Sequence, residues 1–233
     1  DSKARLEILN SSVTLSKGSI STGGNTKSRQ VSEIFVSNST FNAGNHAISL
    51  GSGLCSTSSC EIVGGSFTHT GSLTIGSGNG AQASLALVDN EATFKSGAFS
   101  FETGAGADGT LRLVSSPYAF PASVTVGVTE GSRQTLALED GAYSVATALS
   151  VGNVNATDSA LALKNASLQV GGSFHVVPAV GGTGVENSST GRIELVASTI
   201  DALGQLHVCN QGINGFASFV DDADSKLYVT NTK

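Results

Sequence analysis

A short pattern, apolar then small or polar then apolar, followed by glycine or a polar turn, recurs along this chain at a nearly constant interval. That interval limits the available folds more than any other feature. The pattern appears as Ile48-Ser49-Leu50, Leu73-Thr74-Ile75, Phe99-Ser100-Phe101, Val124-Thr125-Val126, Leu149-Ser150-Val151, Phe174-His175-Val176 and Leu206-His207-Val208, whose first members lie 25, 26, 25, 25, 25 and 32 residues apart. A second series, Leu85-Ala86-Leu87, Leu111-Arg112-Leu113, Leu136-Ala137-Leu138, Leu161-Ala162-Leu163 and Ile193-Glu194-Leu195, runs in step with gaps of 26, 25, 25 and 32. A third, looser series passes through Phe67, Phe94, Phe120, Val145, Val170 and Ile200. Each period therefore holds three short strands.

Alternate side chains of a strand point to opposite faces, so Leu136 and Leu138 point inward and Ala137 outward. One coil cannot bury its own inner face. Stacking coils about 4.8 Å apart joins the inner faces into one core and pairs each strand in parallel with its neighbours. The spacing predicts an all-β chain, a single-stranded right-handed parallel β-helix (β-solenoid) with three strands and about 25 residues per coil, about nine coils in all, forming a single domain over residues 1–233. Leu6, Ile8, Val13 and Ile20, then Ile34, Val36 and Phe41, mark two less regular coils at the start. A β-sandwich or up-and-down barrel has no reason to repeat a three-strand cycle at constant length.

Composition agrees with β structure rich in turns. Charged residues are only 13%, Gly numbers 29, and Trp and Met are absent, which disfavours a helical globule. A net charge of −6, with 12 Lys and Arg scattered along the chain, leaves no basic patch to neutralise phosphates, so nucleic acid is excluded as an expected partner. No apolar run is long enough to span a bilayer. A start at Asp1 without methionine fits a secreted product after leader removal.

The turn-rich stretches GSGNGAQAS, ETGAGADGT, GVTEGSRQT and GNVNATDSA occupy one corner of the coil. The extra residues of the 32-residue period and the Gly51–Cys60 stretch fall in the same corner, which is thus expected to be a loop-bearing edge. Cys55 and Cys60 have a spacing suited to a small disulfide in an oxidising compartment, and Cys209, about six coils away, is expected to be a free or intermolecular thiol. His175 and His207 occupy equivalent outward positions in consecutive coils, so their imidazoles should stand side by side; a bare histidine ladder is the simpler reading of that pair, and a metal site the sharper one. His46 and His69 match neither each other nor that pair. The outward column Ser49, Thr74, Ser100, Thr125, Ser150, His175, His207 is a candidate binding face for a polysaccharide or for ordered water.

Asp221, Asp222 and Asp224 form the one tight carboxylate cluster; without acids on adjacent coils it reads as a solvated turn rather than an acid–base pair. The stretch GAGADG, Gly104 to Gly109, is a partial, unrepeated echo of calcium-binding glycine-rich repeats. No phosphate loop, nucleophile elbow or metalloprotease motif is present, so the expectation is a non-enzyme without a cofactor. Asn-x-Ser/Thr acceptors begin at Asn10, Asn38, Asn155, Asn165 and Asn187, all in corners, where N-glycans would fit.

The segments SLTIGSGNGAQASLALVDNEATF and ALSVGNVNATDSALALKNASLQVGGSF resemble the repeats of large secreted bacterial β-helix proteins, including autotransporter passengers and related adhesins. The resemblance covers Ile48 to about Val208 and is one of repeat style. It implies an extracellular or cell-surface structural or adhesive role and carries over no catalytic residue. The loop cysteines and sequons depart from that style. Apolar inward positions at both ends, with no covering helix, predict self-association through the coil ends or continuation in a longer chain, with surface glycans as further partners. A polysaccharide-binding or polysaccharide-degrading β-helix is the alternative.

Overall fold

The computed structural model describes residues 2–24, 30–152, 157–176, 190–208, 216–220 and 226–229. Among these residues every regular element is a strand, and the chain is a parallel β-solenoid of about 7 turns with a spacing of roughly 26 residues. That count differs slightly from the expected nine, and the opening coils exceed the 25-residue period. Successive first-face strands start at Ser2, Gln30 and Thr57, intervals of 28 and 27 residues.

Two compact units are formed, Asp1–Lys95 with Phe101–Pro117, and Ser96–Ser100 with Tyr118–Lys233. In the first unit, the first face comprises Ser2–Leu9, the leading parts of Gln30–Gly44 and Thr57–His69, then Gln82–Val88 and Asp108–Val114, with neighbours paired in parallel. Its register stacks Leu6, Ile34, Cys60, Leu85 and Leu111 in one inward column and Ile8, Val36, Ile62, Leu87 and Leu113 in the next. In the second unit, Leu136, Leu161 and Ile193 stack, as do Leu138, Leu163 and Leu195. The less regular opening coils obey the same rule, with Val13 opposite Phe41 and Ile20 opposite Ile48.

The corner after each first-face strand is built from one left-handed residue per coil. Asn10, Asn38, Asp89, Ser115, Asp140, Asn165 and Ala197 have φ of 47–50°, and Gly64 occupies the equivalent site at φ 66°. Asn and Asp tolerate this region through local hydrogen bonding and Gly through its missing Cβ, which accounts for six of these eight residues but not for Ser115 and Ala197. The next residue is locked by a hydroxyl from the following coil. The amides of Ser11, Asn90 and Ala166 donate to the Oγ of Ser39, Ser116 and Ser198 at 3.0, 2.9 and 3.1 Å. Each of those hydroxyls donates in turn to the carbonyl two residues before it. In Gln30–Gly44 and Thr57–His69 the strand runs unbroken through this corner, so two of the three expected strands merge there.

Three expected column alignments differ from the structure, each by two residues. Phe67 pairs with Ala92 rather than Phe94, although the Phe67 and Phe94 rings still meet edge-on at 5.8 Å. Val170 pairs with Ala202, and Ile200 stacks on Leu168 instead. Thr74 bridges Glu102, whereas Ser100 pairs with Thr125. A two-residue slip preserves the inward–outward alternation, so Phe94, Phe99 and Phe101 remain buried while the identity of their stacking partners changes.

Because stability resides in the inward columns, Leu85→Ala should lower the unfolding free energy by roughly 2–5 kcal/mol, whereas the outward neighbour change Ala86→Ser should alter it by about 0.5 kcal/mol or less. Urea unfolding followed by circular dichroism reads both; equal effects would contradict the assigned faces.

Candidate functional site

Chemistry in a solenoid must come from outward columns and corners, since the inward columns are closed. The outward strip of the third face is two strips. In the first unit it reads Ser21, Ser49, Thr74 and then Glu102. In the second it reads Ser100, Thr125, Ser150, His175 and His207. The expected pairing of Thr74 with Ser100 is replaced by a bridge from Thr74 to Glu102. Two hydroxyls of the first unit's strip are also already engaged. Ser21 Oγ donates to Ser52 Oγ at 3.2 Å, and the Ser49 and Ser77 hydroxyls share a hydrogen bond of 3.0 Å. Hydroxyls bonded to serines of the next coil's corner have fewer donors to offer a ligand.

The two histidines stand where their spacing predicts. Their rings stack with centroids 4.7 Å apart and planes 7° apart. Burial, and then the charge of the neighbouring imidazole, holds His175 below the usual histidine range. His46 and His69, by contrast, do meet. The Nε2–H of buried His69 donates to the carbonyl oxygen of His46 at 3.1 Å, and burial outweighs this bond to push the His69 pKa down.

The expected Cys55–Cys60 disulfide is not formed; both thiols are free. Cys60 does not lie in a loop. It is on the strand Thr57–His69, inward, stacked between Ile34 and Leu85 and 6% exposed. Burial pushes its thiol up to about 12, with the adjacent Glu61 carboxylate adding to the effect. Cys55 sits exposed at the preceding corner with φ 50°, a position held elsewhere by Gly80, Gly106 and Gly131. Strand alternation thus sends the two sulfurs apart. Cys209, Asn155, Asn187, Asp221, Asp222 and Asp224 lie outside the described residues.

The loop-bearing corner is a repeated tight turn. The amides of Ser56, Ala81, Ala107 and Ser132 each donate to the carbonyl three residues earlier, at 3.2, 2.9, 3.1 and 3.3 Å. GAGADG belongs to this series, with Asp108 at the start of a strand beside Gln82 rather than in a ligand cluster. Among the described residues no group of three His, Cys, Asp or Glu side chains could hold a metal ion. Buried Gln134, which sequence reasoning passed over, closes the turn of its own coil: its Oε1 accepts from the amides of Gly127 and Val128 at 2.5 and 3.1 Å. Its signal was a polar residue at an inward strand position.

Three sequon asparagines, Asn10, Asn38 and Asn165, share the exposed left-handed corner. The Asn165 amide donates to Asp140 Oδ1 at 3.0 Å. The second face of the second unit carries a shallow groove of about 400 Å³, lined by Ser144, Gln169 and Asp201 in one outward column and Ser167 and Thr199 in the adjacent one. A smaller groove of about 220 Å³ lies on the first face of the first unit, between Thr57, Gln82 and Asp108 and the column Ser59, Ser84 and Thr110.

Against models of protein families, against curated proteins and against solved structures, this sequence and fold give no match.

Two measurements follow. In a Cys209→Ser chain, Cys55 should react with a thiol reagent under native conditions and Cys60 only on unfolding; simultaneous modification of both would contradict the burial of Cys60. His69 has a folded pKa depressed below the unfolded value of about 6.5, so the unfolded chain takes up its proton first and stability should be full above that pH and fall as the pH drops below it. His69→Gln should flatten the Tm decline between about pH 7 and 5; an unchanged decline would assign it to other groups.

Proposed function

We propose that this chain is an extracellular structural or adhesive β-solenoid, without catalytic activity, that joins further solenoid coils, either in a longer surface protein or by stacking end to end on other copies. The observation that carries the reading is the inner face of the coil containing Ser2–Leu9. Leu6 occupies an inward column position, above Ile34, yet is 52% exposed, and Ala4 beside it is exposed as well. The strand Ser2–Leu9 pairs only with Gln30–Gly44 among the described residues, so its other edge offers backbone groups in the arrangement that a neighbouring coil uses. Exposed sequon asparagines along one corner support an extracellular setting.

Sedimentation velocity tests the stacking form. The chain should associate in a concentration-dependent way, and Leu6→Asp should abolish this by placing a charge in the apolar column. A strict monomer at the highest soluble concentration overturns self-stacking. The second reading, glycan binding, is supported by the shallow groove in which Ser144, Gln169 and Asp201 stand beside Tyr143 and Leu168. The same variant separates the two, because a glycan groove on the second face keeps its binding in a monomeric Leu6→Asp chain.

A further inference from the structure

We propose that His175 and His207 form a two-histidine binding site for a borderline divalent transition ion, of the Cu²⁺, Ni²⁺ or Zn²⁺ class, on the third face of the second unit. The inference is independent of the stacking and glycan readings. It rests on register. His175 and His207 are cross-strand partners on Phe174–Val176 and Leu206–Val208, so both side chains leave the same sheet face from adjacent backbones. Their rings are parallel to within 7° and stacked, with centroids 4.7 Å apart.

Two nitrogens bound at about 2.0–2.1 Å to a tetrahedral ion lie about 3.3 Å from each other. A modest inward tilt of the two rings supplies that separation without moving the strands. Both residues are half-buried rather than closed off, so an ion reaches them from solvent and completes its shell with water. Imidazole must be neutral to ligate. The next residue in the same column is Ser150, opposite His175, which neither competes for the ion nor blocks it. Imidazole ligands suit Cu, Ni and Zn, and the affinity order for such a site peaks at Cu²⁺.

The test uses the full chain carrying Cys55→Ser and Cys209→Ser, so that thiolate binding is not read, and Cu²⁺ as the probe at pH 7.5. Calorimetric titration should give a saturable equivalent, and electron paramagnetic resonance of that complex should show superhyperfine coupling to two nitrogens. His175→Ala and His207→Ala should each weaken this equivalent by about tenfold or more, and the double variant should be no worse than either alone, because one imidazole without the other does not chelate. Ser150→His extends the column and should add a third coupled nitrogen and tighten binding. Circular dichroism checks that each variant is folded; if either alanine variant is not, the gain in Ser150→His decides. Absence of a saturable equivalent, its persistence in the folded alanine variants, or no gain in Ser150→His overturns the site.

Discussion

The structure depends on one constraint: no coil completes its own hydrogen bonds or covers its own apolar side chains, so both needs are met only by the coil above and the coil below. Parallel pairing along each face supplies the backbone bonds, and the same register places Leu85 on Leu111 and Leu136 on Leu161. The two requirements share a single geometric solution. A coil that shifts by one residue turns its apolar set to water, and a coil that is removed exposes two faces rather than one. Leu6, inward in register but paired on one side only among the described residues, is exposed.

Alternation alone does not fix which residue sits on which, because a slip of two residues keeps every side chain on its proper face. That is where sequence reading failed here. The apolar periods predicted the faces, the three-strand cycle and the stacking of the first-face leucines. The pairs Phe67 with Phe94, Val170 with Ile200, and Thr74 with Ser100 are each displaced by two residues, a shift invisible to a pattern of period two. What breaks the degeneracy is polar. The left-handed residue at the first corner and the serine hydroxyl that follows it bond to specific backbone atoms of the adjacent coil, so they set register where leucine cannot. That signal is present in the sequence as an Asn, Asp or Gly recurring immediately after most first-face strands.

The cysteines show the same lesson at the level of a single pair. Proximity in sequence suggested a staple, but Cys60 is at an inward strand position, and its place in the column is that of a small apolar residue. The histidine pair was legible because it depends only on the third-face series, which holds in register from Leu149 to Leu206. The groove of Ser144, Gln169 and Asp201 was not, since outward residues of the second face follow no apolar rule and the series marking that face was the loosest of the three.

Apolar columns also cannot tell a coil of the same chain from a coil of another copy, so selectivity in joining must come from outside them. Beside Leu6, Lys3 and Arg5 reach Glu33 on the next coil at 2.9 and 3.9 Å, and Arg5 also pairs with Glu7. These ion pairs are exposed and contribute little to stability. In the proposed stacking their effect would fall on the choice of partner. A strand added to the edge of Ser2–Leu9 that is unpaired among the described residues would have to offer an apolar residue to Leu6 and at the same time meet Arg5 and Glu7 without placing a like charge against either. In such a stack burial would supply the attraction between coils, and the alternating charges on the outward side would select the register and the partner.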